Sequence, residues 1–222
     1  MSAPGPAAIL FDLDDTLIDS AHAAHAGAIA WHQEIGAPGT PDPERWRSIE
    51  IAWYKRFERR ETTYLGQRIG RVREYLNAPD LPEEEALELL QRFYPHYLAA
   101  TTAFPDAPSA LERARRTGAT VGIFTNGGFE MQFSKMEHAG IAHPWLKVFA
   151  AVELGHPKPQ PQAYAKVAQL LGTSNITMVG DNLENDVLAP LQAGWQAVYL
   201  QRPGAPQAPA GVVGVGTLDE LF

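Results

Sequence analysis

The chain contains no cysteine. That excludes disulfides, thiolate metal sites and cysteine nucleophiles, and it agrees with the cytoplasmic location expected for this protein. Basic side chains are the minority: 18 Lys and Arg against 26 Asp and Glu give a formal net charge of −8. A chain this acidic is not expected to bind nucleic acid in general, because the phosphate backbone repels it. Long apolar runs are missing too. No stretch approaches the ~20 apolar residues of a membrane span, so no membrane association is expected. Residues Met1 to Pro6 carry no basic segment, and the apolar run behind them is too short for a secretory leader, so none is expected.

Against these absences, hydrophobic residues make up 45% of 222. That is enough for one generous domain, or a core with an insert, around a real interior. Charge is segregated. Between Pro41 and Arg73 nine basic side chains outnumber five acidic ones. A solvated helix face explains this as well as a surface attracting an anionic substrate does.

Short apolar runs rich in β-branched residues recur at 8–11, 120–124, 148–152, 176–179 and 197–200, each followed by a helical pattern. Such alternation predicts βαβ units and a parallel sheet. Helix ends are marked. Asp106 is placed to cap a helix running toward Arg116, and Gly118 to end it. Phe129 to Ala139 reads as a helix stopped by Gly140. Pro161 suits a first helical turn, and Asn182 to Ala193 precedes Gly194. A short strand and a closing turn are expected over Val212 to Phe222, after an exposed loop at 201–211.

The stretch from Ser20 to about Ala100 breaks the alternation, with helical periodicity and no convincing strand. Trp46, Ile49, Trp53 and Phe57 fall on one helical stripe. Glu83 to Ala99 is another helix, begun by Pro82 and carrying Pro95 near its end. An all-helical insert, 20–100, is therefore expected within an α/β core formed by 1–19 and 101–222.

Four stations carry chemistry. The first is Asp12-Leu13-Asp14-Asp15-Thr16, at the end of the first strand. Residues two apart on a strand share a face, so Asp12 and Asp14 are expected side by side. Crowded carboxylates there call for a metal, a lysine or a phosphoryl group. Asp12 is the candidate nucleophile, since a carboxylate can attack phosphorus, and Asp14 the candidate general acid/base. Thr16 is placed to hydrogen-bond nearby backbone or Asp14. A calcium loop or a charged turn would explain this station alone about as well.

The second station, Thr125-Asn126-Gly127-Gly128, ends a strand and precedes a helix. Hydroxyl, amide and glycine N–H groups suit an anion there, although a plain N-cap with a glycine turn explains it too. In the third, Lys158 sits between Pro157 and Pro159, a point charge suited to phosphate, or else an ordinary surface lysine. The fourth is Gly180-Asp181-Asn182 through Asp186. Its oxygens suit magnesium. An acidic helix start explains Glu184 equally well, but explains Asp181 poorly, because that residue ends an apolar strand. All four stations fall at the C-terminal ends of strands, where open α/β sheets bind ligands.

With these motifs in order, the chain resembles the haloacid dehalogenase-like superfamily, on the branch with a helical cap inserted after the first strand. Thr125-Asn126-Gly127, Gln132, Lys135, Gly140-Ile141 and Lys158-Pro159 are most similar to phosphatases of the 5′-nucleotidase and acylneuraminate-9-phosphatase kind. The resemblance implies a Rossmann-like parallel sheet with an all-α cap. It makes Asp12 the nucleophile and Asp14 the group that protonates the leaving oxygen and then activates water. It implies Mg²⁺ held by Asp12, the Asp14 backbone carbonyl and Asp181, with Asp186 as ligand or behind the ligands. Thr125, Asn126 and Lys158 would hold phosphoryl oxygens, with Thr16 and Asn182 in support.

Asp14 separates branches. In the dehalogenases this position is not aspartate, since a carbon–halogen bond needs no protonated leaving oxygen. Lys55 is the only lysine in the insert, and its basic surroundings look like a surface, which argues against the Schiff base of phosphonate hydrolysis. The expectation is a magnesium-dependent phosphatase of small phosphate monoesters, acting as a monomer or homodimer. A phosphomutase, or a phosphate-sensing or partner-binding module on the same fold, is the alternative. Substrate choice would lie in the insert, where Tyr64 and Arg68 fit a substrate contact as well as a structural role, whereas Trp46, Trp53 and Phe57 fit the insert's own core better than a contact surface.

Overall fold

A computed structural model describes residues 5–222; Met1 to Pro4, on which most of the leader expectation rests, lie outside the described residues. The chain divides into two compact units, one of residues 1–19 with 103–222 and one of Ser20–Thr102.

The first unit is built on a six-stranded sheet in the order β3-β2-β1-β4-β5-β6, every neighbouring pair parallel. The strands are β1 (Ala8–Phe11), β2 (Thr120–Thr125), β3 (Lys147–Ala150), β4 (Ile176–Gly180), β5 (Gln196–Leu200) and β6 (Val213–Val215). The central strand β1 is four apolar residues, all buried. Its unbroken apolar run is what a strand covered on both faces requires. Ile9 and Phe11 enter one core with Val121, Ile123 and Leu111. Ala8 and Leu10 enter another with Phe124, Met178, Tyr164 and Val167. Alternating side chains thus feed opposite layers.

Numbered after the four helices of the second unit, α5 (Ala107–Arg116), α6 (Phe129–His138), α7 (Ala151–Leu154), α8 (Pro161–Leu171) and α9 (Ala189–Gln192) connect the strands. Helix α8 has proline in its first turn and ends on Gly172 at φ 69°, a left-handed turn that a side chain would strain. Where the insert leaves and rejoins the sheet, Ile18 bridges Ala103 and the Phe104 N–H donates to the Leu17 carbonyl at 2.9 Å.

The second unit consists of α1 (Ser20–Glu34), α2 (Pro43–Glu58), α3 (Tyr64–Tyr75) and α4 (Glu83–Ala99). Asp42 and Thr63 cap α2 and α3, accepting the Arg45 and Gly66 N–H groups at 2.9 Å. Its interior is aromatic: the Trp31 ring lies 4.9 Å from Trp46, 5.4 Å from Tyr75 and 6.0 Å from Phe93. Trp46 and Ile49 of the stripe are therefore core, and Trp53 packs against that core. Much of the local positive charge is used inside the unit. The Arg71 guanidinium is buried on Glu50 at 2.6 Å, and Glu50 also accepts from Arg47 at 2.8 Å. Arg68 donates to the Tyr94 hydroxyl at 2.8 Å.

Three local expectations change. The third strand covers Lys147–Ala150, and Ala151–Leu154 is a helical turn rather than its continuation. The helix expected from Asn182 begins as a π-helical turn, Leu183–Leu188, before α9. Asp106 occupies an N-cap position without capping. Its carboxylate instead accepts from Arg202 at 2.7 and 2.9 Å, from the Thr217 hydroxyl at 2.8 Å and from the Leu218 N–H at 2.9 Å. A half-buried guanidinium and two further donors satisfy the carboxylate better than one helix-end amide can. No helix among the described residues is long and apolar enough to cross a membrane.

Candidate active site

Strand β1 ends at Phe11, and the Asp12 N–H still donates to the Val179 carbonyl of β4 at 2.9 Å. Asp12 therefore stands beside the end of β4, where Asp181 follows Gly180. The chain then turns. The Leu17 and Ile18 N–H groups both bond the Leu13 carbonyl, and Asp15 takes a left-handed φ of 58°, which aspartate tolerates. Strand pairing of β1 ends before the two carboxylates: Asp14 makes an isolated bridge with Ile18, and Asp12 and Asp14 meet different lysines.

Asp12 meets Lys158. The lysine is 1% exposed, with its Nζ 2.8 Å from Asp12 Oδ1 and 2.6 Å from Asp186 Oδ1. Its loop is pinned by Asn126, whose side-chain amide accepts the Lys158 N–H at 2.7 Å and donates to the Lys158 carbonyl at 2.9 Å. The Lys158–Pro159 peptide is cis. Burial pulls the ammonium down, but Asp12 and Asp186 outweigh it and hold Lys158 above its ordinary value. An unpaired ammonium could not remain in such a place. Asn126 thus supports the lysine through its side-chain amide, which meets the Lys158 backbone on both sides.

Asp186 is fully buried, and its second oxygen accepts the Asn182 N–H at 3.1 Å. Gly180 makes the room, since a Cβ there would lie 2.4 Å from Asp186 Oδ2. The Asn182 side chain accepts the Glu184 and Asn185 N–H groups at 3.1 and 3.0 Å, shaping the turn that carries Asp186. Thr16 bonds Asp181 rather than Asp14: its hydroxyl donates to Asp181 Oδ1 and accepts the Asp181 N–H, both at 3.1 Å.

Asp12, Asp181 and Asp186 each present a carboxylate oxygen, all within 4.8 Å of one another. Burial pushes Asp12 well above the usual carboxylate range; Lys158 opposes this, and Asp186 and Asp181 add to it. Burial, then Asp186 and Asp15, push Asp181 up to about 7. Burial likewise raises Asp186 against the pull of Lys158. Three gathered carboxylates facing one ammonium leave a negative excess. An oxygen-only donor set of that charge fits a hard divalent cation.

Asp14 has its own holders. The Lys135 Nζ lies 2.8 and 3.0 Å from its two oxygens, and the Gln132 Nε2 lies 2.9 Å from Oδ2. Gln132 also donates to the Thr125 hydroxyl at 2.5 Å. The sequence reading gave Gln132 and Lys135 no role. The available signal was their i, i+3 spacing on a helix that starts directly after Thr125–Gly128, which puts both on one face.

The sequence profile of the haloacid dehalogenase-like hydrolases matches residues 6–194. The chain belongs to this family. Among its curated relatives, a phosphoserine phosphatase of Thermus thermophilus is 32% identical over 154 residues, spanning 68% of this hydrolase and 61% of the relative. A glyceraldehyde 3-phosphate phosphatase of Methanopyrus kandleri is 29% identical over 203 residues, 88% of this hydrolase and 84% of the relative. In fold, the hydrolase is similar to YfnB of Bacillus subtilis, solved bound to magnesium, with a TM-score of 0.82 at 20% identity over 98% of this chain and 97% of the other. It is also similar to the L-2-haloacid dehalogenase PA0810, with a TM-score of 0.76 at 20% identity over 98% and 97% of the two chains.

Proposed function

We propose that this hydrolase is a magnesium-dependent phosphatase of small phosphate monoesters that works through an aspartyl-phosphate on Asp12. The observation that carries the reading is the separate anchoring of two neighbouring carboxylates. Asp12 faces a buried lysine and two further carboxylates, and Asp14 is held on Lys135 and Gln132. One carboxylate can then attack phosphorus while the other handles protons. The names of the curated relatives, phosphoserine and glyceraldehyde 3-phosphate phosphatase, support the same reaction class.

In this reading an Asp12 oxygen forms a bond to phosphorus. The ester P–O bond breaks, its electron pair goes to the leaving oxygen, and Asp14 delivers the proton that oxygen needs. Water then attacks the acyl phosphate, gives its proton to Asp14, and Asp12 leaves as carboxylate. Lys158 and the Thr125 hydroxyl hold phosphoryl oxygens, and Asn126 acts through the Lys158 loop. Asp12, Asp181 and the Asp14 backbone carbonyl would hold Mg²⁺. Asp186, with both oxygens already bonded, acts behind them by fixing Lys158. When bound, the ion offsets charge on the carboxylates and the phosphoryl group. Unit charges ~4 Å apart repel by ~4 kcal/mol at an effective dielectric of 20, so a phosphate dianion would otherwise be opposed. The helical unit acts as the cap that selects the substrate.

The dehalogenase fold neighbours share architecture. Asp14 favours the phosphatase, because an acid is useful only where the leaving atom takes a proton. The test is phosphate release from phosphoserine, phosphoglycolate, glyceraldehyde 3-phosphate, nucleotides and sugar phosphates, with Mg²⁺ and with chelator, beside halide release from 2-haloacids. Metal-dependent phosphate release abolished by Asp12→Asn, with the fold retained, is the expected result. Halide release without phosphate release would reverse the assignment.

A further inference from the structure

We infer that Lys135 and Gln132 are positioning residues for Asp14: helix α6 fixes the acid/base carboxylate in one orientation and couples it to the phosphoryl-binding threonine. The inference rests on the phosphatase reading and adds two residues that the reaction scheme does not itself require.

Asp14 sits on a turn, and its side chain is 35% exposed. A carboxylate side chain so placed has two soft torsions and solvent on one side, so contacts from outside the turn can select its rotamer. Its holders are far more enclosed. Gln132 is 1% exposed and Lys135 8%. They approach from successive positions of one helix face, and three N–H···O contacts of 2.8 to 3.0 Å define the plane of the carboxylate. Burying a long ammonium side chain costs rotamer entropy and desolvation. A lysine serving only solubility would extend into water.

Gln132 makes the arrangement a link rather than a local ion pair. Its amide nitrogen donates to Asp14 Oδ2 and to the Thr125 hydroxyl. The group that handles the proton and a group that holds the phosphoryl oxygens are therefore set by the same amide. Gly127 leaves the space this needs, because a Cβ there would lie 2.5 Å from the Gln132 amide carbon. Helix α6 thus fixes the distance between the proton and the ester oxygen, and misplacement by about 1 Å there can cost ~10²-fold.

The readout is leaving-group dependence. For p-nitrophenyl phosphate the departing phenolate needs little protonation, whereas glycerol phosphate releases an alkoxide that needs the proton. kcat/KM reports the first half-reaction, through loss of the leaving group. In Lys135→Met and in Gln132→Leu, kcat/KM for glycerol phosphate is expected to fall at least tenfold more than for p-nitrophenyl phosphate. Lys135→Arg should recover part of that ratio. Because each protein is its own reference, partial misfolding cancels. An equal fall for both substrates, or no fall, overturns the inference while leaving the phosphatase reading intact. A wild-type protein that releases phosphate from neither ester ends that reading and this inference with it.

Discussion

Thr16 and Asp181, 165 residues apart, exchange two hydrogen bonds through one hydroxyl, each 3.1 Å long. The hydroxyl donates to the carboxylate and accepts from the same residue's backbone, which a serine or threonine can do and an isosteric valine cannot. Thr16 is fully buried, so no water replaces it easily. Thr16→Val should cost about 1–3 kcal/mol in denaturant unfolding. It should also weaken Mg²⁺ binding several-fold by calorimetry, because Asp181 loses its orienting partner. Unchanged metal affinity would show that the hydroxyl serves folding alone.

Gly180→Ala tests the packing behind the lysine. The new methyl would meet the Asp186 carboxylate at 2.4 Å from one oxygen and 2.5 Å from its carbon. Both groups are held by β4 and the turn after it, so the carboxylate must swing off Lys158. Phosphatase activity should fall more than tenfold, and stability by about 1–3 kcal/mol, although no charge has changed. Retention of full activity would mean that the Asp186–Lys158 contact is dispensable.

The acidic cluster predicts how metal and pH interact. Asp181 is pushed from its ordinary 3.8 up to about 7. Between those values the folded protein holds a proton that the unfolded chain has released, so the contribution of this group to stability falls as pH rises through the window. A divalent cation competes with that proton. The rise in Tm on adding Mg²⁺ should therefore be small at pH 5 and larger at pH 8. Asp181→Asn should flatten the difference, and equal Tm shifts at both pH values would count against the cluster as the metal site.

Asp106 titrates in the opposite sense. Burial raises it, but the bonds from Arg202, the Leu218 N–H and Thr217 outweigh burial and hold it below the usual carboxylate range. Its contribution is present above the ordinary aspartate value near ~4 and is lost as pH falls through the lowered one. Arg202 also donates to the Thr16 carbonyl at 2.7 Å, so this network braces the turn that follows β1. Asp106→Ala should cost about 2–4 kcal/mol at neutral pH. The gap to wild type should shrink toward pH 3 in urea melts; a constant gap would show that packing, not charge, is what the aspartate supplies.

Much of this architecture was legible in the chain itself. Apolar runs bounded by glycine and proline mark the strands, because local torsional preference and side-chain periodicity are properties of short segments. Only β3 was overextended, since Ala151 and Val152 suit a strand or a helical turn equally well. The helical nature of 20–100 was legible for the same reason. Whether its tryptophans were core or contact surface was not: that depended on Tyr75 and Phe93 closing over Trp31 and Trp46 from other helices.

The residue types at the four stations are a matter of sequence, and so is their order at strand ends. Which group meets which was decided by the sheet. The order β2-β1-β4 sets Asp12 beside β4, and the loop after α7 brings Lys158 between Asp12 and Asp186. No local pattern assigns Thr16 to Asp181, Asn126 to the Lys158 backbone or Asp14 to Lys135, because those pairs lie 165, 32 and 121 residues apart. A short segment determines the direction a side chain leaves the backbone. Its partner is determined only once parallel strands are laid in register.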